Sequence, residues 1–391
     1  MISVDDALAH LFELVTAMRA EAVPLTEASG RVMVRDAFAT RDQPPFPSSA
    51  MDGYAVDSAA VTPGAKFTVI GESAAGHSFK GTVQKTEAVR IFTGAPVPAG
   101  ADRVIIQEDV TRNGDEITLG DALDAGPYVR PRGTDFTVDD AIRAPRRLRP
   151  SDIALLASMN VARVTVTRKP RIALISTGDE LVLPGETPNE DQIIASNTYG
   201  LKAMLDAEGA EARILPIAKD NVPSLTTAFE LAQDSDMIVT IGGASVGDHD
   251  LVAEVAETMG LRKAFYKIRM RPGKPLMAGK MADRPMVGLP GNPVSAMVCG
   301  KVFLLPMLRV MQGFPGQAAP RSSARLAKDI GKNGPREHYM RAIVENGEIT
   351  PAERQDSSLL SVLARSNALM IRAPDERPRE KGELMEYLPL W

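Results

Sequence analysis

Three apolar runs in this chain end in glycine or proline and then turn polar. RIALIS (171–176) leads into TGDEL, MIVTI (237–241) into GGASVGDHD, and MVGL (286–289) into PGNPVSA. Gly242, Gly243 and Gly247 let the backbone approach a ligand closely, and Gly291 permits a tight turn. Ser295 lies near a helix start, where backbone amides favour an anion. RMRPGKP adds Arg271 and Lys274 as cations, beside Pro275. Asp179, Glu180, Asp248 and Asp250 would repel a bare anion. A magnesium ion bridging carboxylates and phosphate reconciles the two charges. One glycine turn is ordinary chain reversal. Three on one predicted sheet edge, with a Lys/Arg pair, read as a phosphate site. Neither a Walker loop nor G-x-G-x-x-G is present, and Ser245 with His249 close by in sequence is no catalytic triad.

The elements that must hold these residues follow from pattern. Strands RIALIST, EARILPIA, MIVTIG and PMVGLPG alternate with helical SNTYGLKAMLDAEG, VPSLTTAFELAQ and HDLVAEVAETMG. That alternation predicts a doubly wound parallel sheet with ligands past the strands' carboxyl ends. Residues 3–20 read as a helix capped by Ser3, with Ala7, Leu8, Leu11, Leu14 and Val15 on one face. RDQPPFPSSAMDGYAV is a structured loop, because its prolines exclude regular helix. From about 55 to 140 short strands and turns form a small β domain, N-G-D marking a hairpin. Helix returns at 148–160, so the β region reads as an insertion between helices that pack together. The last 70 residues are strand-rich, a second small β domain. Asp52 and Thr93 sit in Pro/Gly-rich loops, where turn chemistry explains Asp-Gly and Thr-Gly about as well as function does.

Composition narrows the partners. A chain of 391 residues and net charge −5 gives no global reason to expect nucleic acid or an anionic membrane. The single cysteine, Cys299, and four scattered histidines exclude an internal disulfide and a zinc cluster. No apolar run reaches about 18 residues, so no membrane span is expected. The N-terminus lacks a basic segment before its apolar stretch, so no signal peptide is read and a cytoplasmic location is expected.

SSAMDGYAV, RIFTGAPVPAGAD, RPRGTDF, STGDEL, GGASVGDHD, MRPGKP and GLPGNPVSA together resemble the motifs of the molybdopterin molybdenumtransferases, the MoeA family, related to the gephyrin E domain. The motifs run in family order over nearly the whole chain. The resemblance implies an α/β multidomain fold: a split helical linker and dimerisation domain (1–45 and 138–170), an inserted β domain (46–137), a doubly wound α/β molybdopterin-binding domain (171–316) and a C-terminal β barrel (317–391). It implies a homodimer whose active site lies between the third domain of one subunit and the second of the other. It implies insertion of molybdate into adenylated molybdopterin, with magnesium and release of AMP, and a molybdopterin adenylyltransferase as partner.

The family pattern carries over residue by residue. Asp52, Thr93, Asp135, Glu180, Asp220 and Lys274 match positions tied to activity. Gly242, Gly243, Ser245, Gly247, Arg271, Pro275, Gly291, Asn292, Ser295, Arg341 and Ser357 match substrate surroundings, and Glu180 and Asp250 match the metal positions. Arg271 stands where some members have lysine, so the charge is kept. Other readings stay open: a non-catalytic scaffold, a tungstate-inserting enzyme, and an adenylyltransferase of the same α/β superfamily. The last is disfavoured by the additional domains.

Overall fold

The computed structural model describes residues 1–243 and 251–390. The chain divides into two compact units. The larger comprises Met1–Glu21, Gly30–Val34 and Val166–Trp391, the smaller Ala22–Ser29 and Arg35–Thr165.

The larger unit is built on a six-stranded sheet in the order Glu211–Ile214, Arg171–Ser176, Met237–Ile241, Arg284–Leu289, Met277–Met281, Leu261–Tyr266. The first four strands run parallel. Met277–Met281 pairs antiparallel with both of its neighbours, Arg284–Leu289 and Leu261–Tyr266, so the sheet is mixed, where the sequence pattern predicts a wholly parallel one. An antiparallel neighbour needs no crossover helix, and the short link from Met281 to Arg284 supplies none.

Side chains alternate between the two faces of each strand. Ile172 and Leu174 enter one apolar cluster with helices Asn197–Ala207 and Pro293–Cys299. Ala173 and Ile175 enter the other, with helices Val222–Leu231 and Leu251–Thr258. Helices therefore cover both faces, which is the doubly wound arrangement.

Helix Val4–Leu14 packs into the first cluster through Val4, Ala7, Leu8 and Leu11. Ser3 and Asp6 form a reciprocal capping box at its start, of a kind that contributes about 1 kcal/mol. The helix stops at Leu14 rather than reaching residue 20.

Helix Pro293–Cys299 continues through a π turn, Gly300–Leu304, into Leu305–Met311. Pro293–Met311 meets the length and composition of a membrane-crossing helix, although Lys301 and Arg309 break it so that it is no unbroken apolar run of about 18 residues. Of its apolar window, 72% is buried within the fold, as in the core helix of a globular domain.

In the C-terminal part, Ser322–Leu326, Glu337–Glu345, Glu348–Pro351, Ala368–Arg372 and Leu384–Pro389 close into a five-stranded barrel. Ala324, Leu326, Ala342, Ile349, Met370 and Met385 pack together as its core. The outward residues Tyr339, Leu369, Ile371 and Leu388 join the first α/β cluster. The short strand Met270–Arg271 adds to the barrel beside Glu337 and His338.

The smaller unit carries a six-stranded sheet in the order Arg103–Ile106, Gly53–Val56, Glu87–Ile91, Lys66–Ser73, Glu116–Leu119, Val110–Asn113. The hairpin signalled by N-G-D joins the last two, turning at Gly114 with φ +63°. Helix Pro150–Ser158 belongs to this unit and packs against the 3-10 turn Leu25–Glu27, whereas helix Val4–Leu14 packs in the larger one.

Candidate active site

Three parallel strands deliver their carboxyl ends to one place: Ser176, Ile241 and Leu289. The backbones converge so tightly that side chains are excluded. Gly242 has φ +98°, and a Cβ there would lie 2.5 Å from the Thr177 carbonyl oxygen. Gly243 has φ +69°, and its Cβ would meet Val252 at 2.2 Å. The Gly242 amide donates to the Leu289 carbonyl at 3.1 Å, locking neighbouring strand ends together. The glycines are thus required by the crossing itself, before any ligand is considered. Ser245, Gly247, Asp248, His249 and Asp250 lie outside the described residues.

These strand ends open onto a cavity of about 780 Å³ lined by Thr177, Glu180, Asp220, Gly242, Gly243 and Gly291, among others. No lysine or arginine is among the described residues lining it. Its acids crowd one another. The Asp220 amide donates to Asp179 Oδ1 at 3.3 Å. Burial first, then the charges of Asp179 and Glu180, push the Asp220 carboxyl above its ordinary range. A cation placed there would relieve this repulsion.

The cationic residues gather on an adjoining wall. Arg271, Lys274, Ser295, Arg336, Gln355 and Ser357 line a second cavity of about 280 Å³. Pro275 and Asn292 line both cavities. Neither Arg271 nor Lys274 has an ion-pair partner among the described residues. Gly273, at φ +106°, lets this turn press onto the core, since a Cβ there would sit 2.5 Å from Cys299 Sγ.

The 354–357 segment is brought to the helix start by hydrogen bonds. Val294 N–H donates to the Ser357 carbonyl at 3.1 Å, and Asn292 Nδ2 to Ser357 Oγ at 3.2 Å. This corrects one expectation. Pro293 has no N–H and the Val294 amide is engaged, so the helix start is less open to an anion than its sequence implies.

Arg341 is fully buried behind that segment and lines neither cavity. Its Nη2 donates to the carbonyls of Arg354 (3.2 Å) and Asp356 (3.0 Å). Its Nε and Nη1 have no hydrogen-bond partner among the described residues. Gln355 clasps the Arg341 backbone in both directions. Arg341 therefore braces the loop that carries Ser357.

In the smaller unit, Thr93 donates to Asp52 Oδ1 through both its amide (2.7 Å) and its hydroxyl (2.8 Å). Those two bonds, with a smaller contribution from Arg90, hold the Asp52 carboxyl below the usual carboxylate range. The Arg90 guanidinium stacks between Tyr54 and Phe92, 5.2 and 4.7 Å from the ring centres, and donates to the Gly53 carbonyl. Gly53 is no turn residue: it sits in a central strand, where a Cβ would fall 1.9 Å from the Ile105 oxygen. Gly94, with φ +81°, does turn the chain after Thr93. Asp135 and Gly94 line a cavity of about 500 Å³ with Phe46 and Arg130.

Two contributors escaped sequence reasoning. Asn197 Nδ2 holds the Gly291 carbonyl at 2.7 Å and so shapes the P-G-N-P turn. Arg336 joins the cationic cavity from a segment far along the chain, where no local pattern marks it.

Comparison with known proteins agrees over the full length. Residues 2–160 match the MoeA N-terminal region (domain I and II), 173–310 the probable molybdopterin binding domain, and 323–390 the MoeA C-terminal region (domain IV). The chain is 33% identical to the molybdopterin molybdenumtransferase of Haemophilus influenzae, covering 100% of this chain and 98% of that one. It is 34% identical to the Nostoc sp. molybdopterin molybdenumtransferase over 87% and 81%. The structure resembles the crystal structure of the molybdopterin biosynthesis moeA protein of Pyrococcus horikoshii OT3, with a TM-score of 0.84, 26% identity and 99% of each chain covered. Strand-end cavity, barrel and full-length similarity converge, and the chain belongs to the molybdopterin molybdenumtransferase family of molybdenum cofactor biosynthesis.

Proposed function

We propose that the protein inserts molybdenum from molybdate into adenylated molybdopterin and releases AMP. The observation that carries this reading is the pairing of an acidic cavity of about 780 Å³ with a cationic one of about 280 Å³ across Pro275 and Asn292. The large cavity suits a pterin with its phosphates, and the small one suits a tetrahedral oxyanion. Arg271 and Lys274 would hold the oxyanion by charge, with the Ser295 and Ser357 hydroxyls orienting it. Holding both reactants on fixed strand ends supplies proximity without any covalent nucleophile.

Magnesium fits the acidic side. The charges of Asp179 and Glu180 press on Asp220, and no lysine or arginine is among the described lining residues to offset them. No group of three or more His, Cys, Asp or Glu gathers as a metal site among the described residues. Magnesium keeps several waters and takes one or two protein carboxylates. Glu180 is the described residue we assign to it, together with Asp250. When bound, the ion neutralises diphosphate charge.

On the same reading the protein is a cytoplasmic homodimer that receives its substrate from an adenylyltransferase, and Asp52, Thr93 and Asp135 complete the site in trans. Thr93 keeps Asp52 ionised and oriented, as a group that must accept a hydrogen bond from substrate requires. The test is incubation of the purified protein with adenylated molybdopterin, magnesium and molybdate, with tungstate in a parallel arm. AMP release and active cofactor are expected. AMP that stays attached to the pterin with every component present would overturn the proposal.

A further inference from the structure

A third cavity, of about 360 Å³, lies on the barrel side of Arg271 and is lined by Lys328, Lys332, His338, Glu353 and Arg372 as well. Arg271 is common to this cavity and to the oxyanion cavity described above.

Its wall is built, not frayed. Asn333 Nδ2 donates to the carbonyls of Arg336 (3.0 Å) and Ala373 (2.7 Å). Ile330 and Arg379 bridge their backbones. Arg372 Nη2 donates to the carbonyls of Gly331 (3.1 Å) and Arg377 (3.0 Å). The loop bearing Lys328 and Lys332 is therefore held in place against the barrel.

The pairing of charges around it is uneven. Arg372 is neutralised by Glu376, and Arg377 and Arg379 by Glu383. Lys328, Lys332 and Arg271 have no ion-pair partner among the described residues. Glu353 is the one carboxylate among the described residues of the lining, which leaves a surplus of positive charge facing the cavity. His338 is buried in its wall, and its Nε2 has no hydrogen-bond partner among the described residues. Three cations without an ion-pair partner among the described residues, set around one concavity with a buried imidazole in its wall, are arranged for an anion.

We infer that this cavity is a second binding site for a tetrahedral dianion such as molybdate, sulfate or phosphate, with Arg271 as the wall it shares with the first. The inference stands on the charge arrangement of the barrel and does not depend on the transferase reading.

The test titrates the full-length protein calorimetrically with molybdate, sulfate and phosphate in separate arms. Two dianions per chain are expected. Lys328→Ala/Lys332→Ala should weaken one of them by about tenfold or more and leave the other. Lys274→Ala/Ser357→Ala should do the reverse. Both lysines are exposed, and an unchanged thermal unfolding curve checks that the double variant folds. His338 gives an independent readout by NMR. Burial first, then Arg271, Arg341, Arg372 and Arg336, hold its pKa down to about 3, and an anion alongside should move it upward. Occupancy by molybdate alone makes the site a reservoir for the reacting oxyanion. Equal occupancy by all three makes it a general dianion site. No bound dianion in the wild type, or unchanged stoichiometry and affinity in Lys328→Ala/Lys332→Ala, overturns the inference; a single dianion that Lys328→Ala/Lys332→Ala releases upholds it and empties the first cavity instead. Failure of AMP release would not touch it.

Discussion

Gly53→Ala is the smallest change that should disorder the Asp52 group. The strand Gly53–Val56 lies between Arg103–Ile106 and Glu87–Ile91, pairing with both. An added Cβ would stand 1.9 Å from the Ile105 oxygen and 2.8 Å from its carbon. In a packed interior non-bonded heavy atoms do not come that close, so one strand must retreat by about 1 Å. Retreat is blocked on the other side, where Arg90 donates to the Gly53 carbonyl and stacks on Tyr54. Overpacking costs about 1–3 kcal/mol, and weakened ladder bonds add about 1 kcal/mol each. We predict a loss of about 3–5 kcal/mol from these terms together.

Gly94→Ala is the control. It has φ +81° but nothing within 4 Å of its Cβ, so only backbone strain of about 1–2 kcal/mol applies. Urea denaturation followed by circular dichroism compares the two, and AMP release reports the displacement of Asp52. A Gly53→Ala variant within about 0.5 kcal/mol of wild type, or one more stable than Gly94→Ala, would refute the steric reasoning.

Glu383→Gln should lower the melting temperature at neutral pH and match wild type near pH 2. The Glu380 amide, then Arg379 and Arg377, depress the Glu383 pKa from 4.5 to about 2. The stability it contributes is therefore present above about pH 4.5 and lost as pH falls toward 2. A difference that does not change across that window in pH-dependent calorimetry would exclude this linkage. Ser357→Ala keeps the carbonyl that accepts from Val294 and loses only the hydroxyl bonded to Asn292. We expect a stability change of about 1 kcal/mol or less with a raised KM for molybdate. An unchanged KM in steady-state assays would remove Ser357 from the oxyanion site.

Much of the α/β half is legible without a structure because its determinants are local. The parallel strands at 171–176, 211–214, 237–241 and 284–289 match the periodicities read from sequence, since a buried face must repeat with the geometry of the element that buries it; the antiparallel pairing of Met277–Met281 and Leu261–Tyr266 left no such pattern. The glycines of TIGG were legible as a turn. Their reason was not: it lies in Thr177 and Val252, residues contributed by other segments. The barrel's closure, between Glu337–Glu345 and Ala368–Arg372, likewise depends on pairing across distant strands.

The candidate site divides along the same line. Local sequence was enough to mark Glu180 and Lys274, which sit on loops that strands and turns present by themselves, and Ser295, in the first turn of the helix that follows P-G-N-P. Only the tertiary structure set Asp220 beside Asp179, carried Ser357 to the Asn292–Val294 turn, and hid Arg341 behind the wall it was expected to line. Those outcomes depend on contacts between segments tens of residues apart. Periodicity encodes which face of an element is buried; which other element buries it is decided by packing, and packing decides where the charges end up.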